Sequence, residues 1–507
     1  MLNRGKAAII AILLILNLLV FVFFEPLQNN IPHLNSHKNE NSLRPSLVQS
    51  KSYGCSAFPL DQELLNLTGD ARIYLPSQKP VSLLPDQEFC FRVVVTVENP
   101  DPRVWYTPLY PGTPWDSLWV RFVEKNHNIT VSVDMKLLEL TGAYLKDRVH
   151  IYEGSVKLVD PGKYEILPLL EYRRAEWNFE WNDIVAYNPK QIVVPDGFYL
   201  SVQEEDAFNP FNYKTHLMRP FCKNGDHPGR WLDASLFTSA QLAQLPTPEN
   251  HNKIWAPYSC RYRQYSYQEF EQCLIDKHPT IHWYGDSNTR RALKKISTHG
   301  EWCSTEADQN GRVCICEDNV ETFTTFDSEA RIVHLNVSSS SSLIYHYKWD
   351  GLTGRNNPAW RSIVEQSYVD TIPKANVVII SLVNWDAAFS PFLEFAKSLN
   401  DLIQRLQQLY TNNGIPVIVR TGQHFCCRVD TSTTSRRFSR LRVDLYEKYA
   451  TAELVRHLNA RVWDVYQLGA AKDPAMQLDS LDCPSNHARS EVVEIENQIL
   501  FNMLCNA

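Results

Sequence analysis

Thr280-Ile-His-Trp-Tyr-Gly-Asp-Ser-Asn-Thr-Arg-Arg-Ala-Leu-Lys-Lys-Ile296 passes from an apolar, aromatic run through Gly285-Asp286-Ser287 into a segment of helix-forming composition. The first run reads as a buried strand, the tripeptide as a tight turn, and Ala292, Leu293 and Ile296 as one face of a helix. Strand, turn and helix in that order place Ser287 at the carboxyl edge of a sheet, where a hydroxyl stands clear of the backbone. The N–H groups of a helix's first turn have no partner inside the helix, so they supply half of an oxyanion hole for a serine nucleophile. The bland reading is a turn that happens to spell Gly-Asp-Ser, which composition alone produces in roughly one chain in ten of this length. The serine therefore needs partners elsewhere in the chain.

Outward from this stretch, residues 256–507 alternate between strand and helix. Strand candidates fall at 280–284, 332–336, 377–382, 416–420 and 461–465, with helices at 391–410 and 437–458. Leu399, Leu402, Ile403, Leu406 and Leu409 form one apolar stripe on the first of these helices. Repeated strand–helix units predict a parallel sheet covered on both faces, an α/β domain whose sites collect at the carboxyl ends of its strands. Residues 55–205 have another texture. Short β-type runs at 89–98, 118–123, 129–138, 150–159 and 164–172, with Asp160-Pro-Gly162 between the last two, predict an antiparallel sandwich of immunoglobulin type. Residues 206–255 are irregular, carry Pro210, Pro220, Pro228, Pro246 and Pro248, and read as a linker. Trp105, Tyr106, Tyr110, Trp115 and Trp119 are flat enough to stack on sugars, although packing is the commoner use of such rings.

The chain of 507 residues is 44% hydrophobic and 11% aromatic, which supports packed cores and excludes a disordered protein. A net charge of −7, without a long Lys/Arg run, predicts no nucleic-acid partner. Arg4 and Lys6 precede an apolar run at 7–24, broken only by Asn17 and closed by Glu25-Pro26. Its ~18 residues reach about 27 Å as a helix, the thickness of a thin bilayer. The run reads as a signal anchor. A cleaved signal peptide is the alternative, against which the run ends in Val-Phe-Phe without a small-x-small cleavage site. Positive charge ahead of it predicts residues 1–6 in the cytosol and the remainder lumenal, a single-pass type II protein of the Golgi or endoplasmic reticulum, or of the cell surface. Residues 25–54, polar and without apolar period, form the expected stem. Twelve cysteines in such a compartment predict disulfides, with connectivity left open. Cys303 with Cys314-x-Cys316 lacks a second CxxC pair and a histidine at ligand spacing, so neither a metal nor a bound cofactor is expected. Asn66, Asn128 and Asn336 each open a glycan acceptor triplet, as expected of a glycoprotein.

Acyl transfer needs a nucleophile, a base, a group that orients the base, and donors for the oxyanion. All four roles find candidates just beyond the predicted strand ends. Ser287 attacks and His487 accepts its proton. Asp482 or Asp479 orients the imidazole, and the Ser287 amide with the Asn384 side chain holds the oxyanion. Asn384 and Asp386 follow the strand candidate at 377–382, and Gln423 and His424 follow that at 416–420. Singly, His487 is better explained as a surface histidine, Asn384 as a turn residue and Asp482 as a cap. Together and in this order they favour catalysis.

Gly285-Asp286-Ser287 followed by Arg290, with a late His487, resembles the PC-esterase branch of the SGNH hydrolase superfamily. The order of anchor, sandwich and catalytic-type domain resembles the NXPE (neurexophilin and PC-esterase domain) family and its fungal relatives, as do residues 222–231, Gln423-His424-Phe425 and residues 497–505. The resemblance implies an SGNH-like three-layer domain with Ser287 as nucleophile and His487 as base, Asn384 for the asparagine block and Gly351 or Gly354 for the glycine block. It also implies O-acetyltransferase or esterase activity on a glycan or glycoprotein. Arg290, His424, Trp349, Trp360 and Trp385 are then candidate sugar contacts. One position departs from the pattern. Three residues before His487, where the family's acid stands, is Pro484, so the orienting acid is Asp482, Asp479 or absent. Its absence would suit a non-catalytic, membrane-anchored protein that recognises glycans or proteins.

Overall fold

Val377-Val-Ile-Ile380 is apolar at every position, the pattern of a strand covered on both faces, and in the computed structural model it lies inside a six-stranded sheet. The structure describes residues 52–59, 69–96, 116–126, 129–138, 149–173, 189–203, 211–248, 252–297, 299–300, 331–338, 341–349, 370, 373–424, 439–472, 488 and 490–506. All lie within one compact unit, Ser52–Ala507. The anchor expected at 7–24 and residues 25–51 of the stem expected at 25–54 fall outside them. Among the described residues no helix is long and apolar enough to cross a membrane.

In chain order the strands begin with β1 (Ala71–Tyr74), β2 (Val81–Leu83), β3 (Glu88–Thr96), β4 (Ser117–Glu124), β5 (Ile129–Val133) and β6 (Lys136–Leu137). They continue with β7 (Val149–Lys157), β8 (Gly162–Tyr172), β9 (Lys190–Gln191), β10 (Leu200–Val202), β11 (Gly229–Asp233) and β12 (Lys253–Pro257). Two sheets result, β1-β3-β7-β6 and β12-β11-β5-β4-β8-β10-β2, with β9 beside β8. Alternate residues of β3 (Phe89, Phe91, Val93, Val95) meet Leu118, Val120 and Phe122 of β4 and Ile166 and Leu170 of β8 in one core. Side chains on a strand alternate between faces, so this spacing makes the two sheets a sandwich.

Residues 206–255 are not the expected linker. β11 and β12 pair with each other, Trp231 opposite Trp255 and Leu232 opposite Ile254, and β11 joins β5 at Trp231–Thr130. Leu232, Ile254 and Ala256 enter the sandwich core, while Trp231 and Trp255 turn the other way, into the core of the following layer. A hairpin that buries both faces carries no polar alternation, which is why its sequence between prolines hid it.

The six-stranded sheet comprises β13 (Thr280–Gly285), β14 (Arg331–Ser338), β15 (Ser341–Trp349), β16 (Val377–Ile380), β17 (Val417–Arg420) and β18 (Arg461–Trp463), in the order β14-β15-β13-β16-β17-β18. β15, β13, β16, β17 and β18 are parallel, whereas β14 is antiparallel to β15 and closes the edge. The named helices are α1 (Tyr267–Lys277), α2 (Ser287–Ser297), α3 (Val383–Phe389), α4 (Phe392–Leu409), α5 (Arg440–Leu458), α6 (Tyr466–Ala470) and α7 (Ser490–Cys505). Val378, Ile380, Val417 and Val419 pack on Leu399, Leu402 and Leu406 of α4 and on Val443, Tyr446 and Leu454 of α5. Their neighbours Val377, Ile379 and Ile418 face Phe270 of α1, Leu293 of α2 and Leu500 of α7. This is the expected three-layer α/β arrangement. From β13 the chain runs to β15 on one side and then crosses to β16 on the other. The carboxyl end of β13 is thus a topological switch point, where such sheets open a crevice.

Candidate active site

Ser287 is the first residue of α2, directly beyond β13, at that switch point. The turn that presents it has no spare room. A Cβ on Gly285 would sit 2.8 Å from the Ser381 carbonyl oxygen and 2.5 Å from Thr289 Oγ1. Asp286, buried, caps the helix: its Oδ1 accepts from the Asn288 N–H at 2.9 Å and from the Thr289 N–H at 3.4 Å. Those two amides turn back onto the cap, which narrows the oxyanion role expected of the first turn to the Ser287 amide.

The other expected donor approaches from the neighbouring strand. The Ser381 N–H donates to the Tyr284 carbonyl at 2.8 Å and so holds the end of β16 beside the end of β13. Three residues on, Asn384 is 3% exposed, and its amide clasps the backbone of Gln423: Nδ2 donates to the Gln423 carbonyl at 2.7 Å and Oδ1 accepts the Gln423 N–H at 2.7 Å. A primary amide has two donor hydrogens, so one remains for a further acceptor such as an oxyanion.

The segment 420–424 is held at nearly every residue. Arg420, fully buried, donates from one Nη to Gln423 Oε1 at 3.1 Å and to Glu496 Oε2 at 2.8 Å. Thr421 Oγ1 accepts the Val465 and Tyr466 amides at 2.8 and 2.9 Å and donates to Asp464 Oδ1 at 3.2 Å. The Gly422 N–H donates to Glu447 Oε2. His424 is buried between the rings of Trp119 and Tyr466, each 5.3 Å away, and burial followed by the nearby Arg440 charge pushes its imidazole well below the ordinary histidine range. It is a neutral ring at the seam with the sandwich, with neither nitrogen hydrogen-bonded among the described residues.

Helix α7 shows from which edge the end of the chain arrives. Its last residue, Cys505, is bonded to Cys273, and Lys277 Nζ donates to the Cys505 carbonyl, next to the start of β13. Nearer its start, the Glu496 carbonyl accepts from Trp463 Nε1 at the carboxyl end of β18, at 2.8 Å, and the Glu496 side chain reaches Arg420 at the carboxyl end of β17. The helix therefore runs from the carboxyl edge to the amino edge. It begins, three residues after His487 in sequence, at the edge that carries Ser287 and Asn384.

The structure thus brings Ser287, Asn384 and Gln423 to one edge, whereas His424, expected as a sugar contact, is buried against Trp119 and Tyr466. Arg290 lies on α2 one turn beyond Ser287. His487, Asp482, Asp479, Gly351 and Gly354 lie outside the described residues. Trp385, at 37% exposure, is an exposed aromatic on α3 beside the buried Asn384. Sequence reasoning missed Glu447, whose carboxyl burial pushes up to about 7, and Asp464, pushed up to about 6 by the same cause. The signal for Glu447 was there: it lies on the apolar stripe of α5 with Val443, Tyr446, Ala450 and Leu454, where a carboxylate has no packing reason to be.

No protein-family profile and no curated protein matches the chain. Among solved structures it is similar to a provisionally assigned SGNH hydrolase from Slackia heliotrinireducens, at 12% identity over 44% of this chain and 97% of that one, with a TM-score of 0.27. It is also similar to the native aryl esterase of M. smegmatis, at 11% identity over 44% and 96%, TM-score 0.27. A family 123 glycoside hydrolase from Clostridium perfringens is similar at 11% identity over 27% of each chain, TM-score 0.17. At these values the function rests on the residues themselves.

Proposed function

We propose that this protein is a serine esterase or acyltransferase that acts on O-acyl groups, most often acetyl, of glycan hydroxyls in the secretory pathway. The observation that carries the reading is the common edge: Ser287 opens a helix at the sheet's switch point, Asn384 follows the carboxyl end of the adjacent strand β16, and the helix following His487 starts from the same rim. In this mechanism Ser287 Oγ attacks the ester carbonyl while His487 takes its proton, and the oxyanion is held by the Ser287 amide and the remaining Asn384 N–H. Collapse expels the sugar oxygen, which takes the proton back from His487. Water or another sugar hydroxyl then removes the acyl group from Ser287. The disulfides Cys55–Cys90, Cys222–Cys260 and Cys273–Cys505 support an oxidising compartment and, with the apolar run at 7–24, a lumenal, membrane-anchored placement.

Pro484, three residues before His487, supports a second reading, a recognition protein without turnover. Incubating the lumenal part with acetylated oligosaccharides separates the two. The esterase reading expects acetate release that Ser287→Ala abolishes. Oligosaccharide binding without release, unchanged in both Ser287→Ala and His487→Ala, would establish the recognition protein instead.

A further inference from the structure

Glu447 lies on α5, behind the backbone that Asn384 clasps, and is 5% exposed. Its two oxygens are both engaged: Oε2 accepts the Gly422 N–H and Oε1 accepts from Thr451 Oγ1. Gly422 is wedged so closely between α3 and α5 that a Cβ on it would sit 3.1 Å from Val383 Cγ1 and from Val443 Cγ1. The next residue, Gln423, gives both its backbone groups to Asn384. We propose that Glu447 is a positioning residue for the Ser287 site: by accepting the Gly422 amide it fixes the 422–423 backbone, and through it the Asn384 side chain. Its catalytic consequence rests on the esterase reading above, whereas the linkage itself does not.

Chemistry favours a role beyond packing. A glutamine in this place would accept the same amide without a buried carboxyl, so a titratable group is retained at a cost in stability. Burial, the largest cause, and the carboxylates of Asp464 and Asp444 raise its pKa to about 7, against the pull of Thr451 and the Gly422 amide. Its titration is therefore in play at secretory-pathway pH. The charged groups that line a shared cavity of about 1020 Å³ with it are Asp444, Lys448 and Arg456 on its own helix, Asp464 beyond β18, Asp226 before β11, and Asp134, Lys136, Glu153 and Lys157 of the sandwich. Lys448 is engaged by Asp134 at 3.0 Å and Asp444 at 2.8 Å. An ionised carboxylate is the stronger acceptor for an amide. The joint is accordingly tight when Glu447 is charged and loosens as it takes up a proton.

Two measurements test this on the intact lumenal protein. Hydrogen exchange of the Gly422 amide, corrected for intrinsic rates and read through local opening that leaves Glu447 buried, should lose about tenfold protection between pH 8 and pH 6 in the wild type, opposite in sign to the global stability, which rises over that range. Glu447→Gln should abolish that step. Thr451→Val, which removes a bond favouring the charged form, should move it to higher pH and covers the case in which the glutamine variant does not fold. In parallel, the rate of fluorophosphonate labelling at Ser287 should fall over the same pH range, and Glu447→Gln should change that profile and kcat on an acetylated oligosaccharide while leaving KM. Wild-type exchange and labelling profiles in both variants would overturn the proposal. An exchange step that follows Glu447 in a protein that never labels would overturn the esterase reading and with it any catalytic positioning.

Discussion

Gly285 shows how much a single residue decides here. With the Ser381 carbonyl 2.8 Å from where a Cβ would lie, Gly285→Ala must push β13 and β16 apart or tilt the turn that carries Ser287. A loss of about 1–3 kcal/mol, the range for overpacking, is expected in denaturant melts. Asn384→Ala leaves the Gln423 N–H and carbonyl without their 2.7 Å partners, so about 2 kcal/mol of stability should go as well. If Asn384 also holds the oxyanion, kcat should fall by about 10²–10³, while Asn384→Asp, which keeps the acceptor but not the donor, should recover stability better than rate. The sequence announced Ser287 because Gly-Asp-Ser, the strand before it and the helix after it are contiguous. It announced Asn384 only as a candidate. Its clasp joins residues 39 apart in the chain, and nothing in the local pattern links them.

Among the elements, α5 and α7 make the sharpest predictions. Glu447 on α5 has a folded-state pKa near 7, above its ordinary 4.5, so the folded chain binds a proton that the unfolded chain releases. Its stabilising contribution is fully present below pH 4.5 and is lost as pH rises through 7. The shift corresponds to about 3 kcal/mol. Denaturant melts of the wild type should thus show this part of the stability declining from pH 5 to pH 7.5, and Glu447→Gln should flatten it. A wild-type dependence in that variant would assign the decline to other groups such as Asp464. At the other end, Cys505→Ser frees the last turn of α7 from α1 and should destabilise by about 2–5 kcal/mol. Periodicity made the core strands and α4 legible, since Val377 to Ile380 and the leucine stripe each have one reading. β14 was legible at 332–336, but β15 was not, because it begins within the serine run 338–342, which has the composition of a linker.

On the scale of the whole molecule, the sandwich and the α/β layers are joined by buried side chains rather than tethered by a linker. Trp119 of β4 donates to the Ala470 carbonyl at 2.9 Å, Trp231 of β11 to the Leu468 carbonyl at 2.8 Å, and Arg440 of α5 to the Leu118 carbonyl at 2.6 Å. With three anchors of that kind the two halves should unfold in one calorimetric transition. Trp119→Ala, which empties a fully buried site beside His424, should cost about 3–5 kcal/mol and split the transition in two. The proline-rich stretch at 206–255 concealed this, since a hairpin buried on both faces leaves no alternation to read. Esterase activity requires the Ser287 hydroxyl at the switch point to be a nucleophile. The most direct measurement is peptide mass spectrometry after fluorophosphonate treatment of the folded protein, read on tryptic residues 278–290, in which Ser287 is the only serine. The expected result is a covalent adduct on that peptide, absent in Ser287→Ala and strongly slowed in His487→Ala. An unmodified peptide from fully folded wild-type protein would contradict the account.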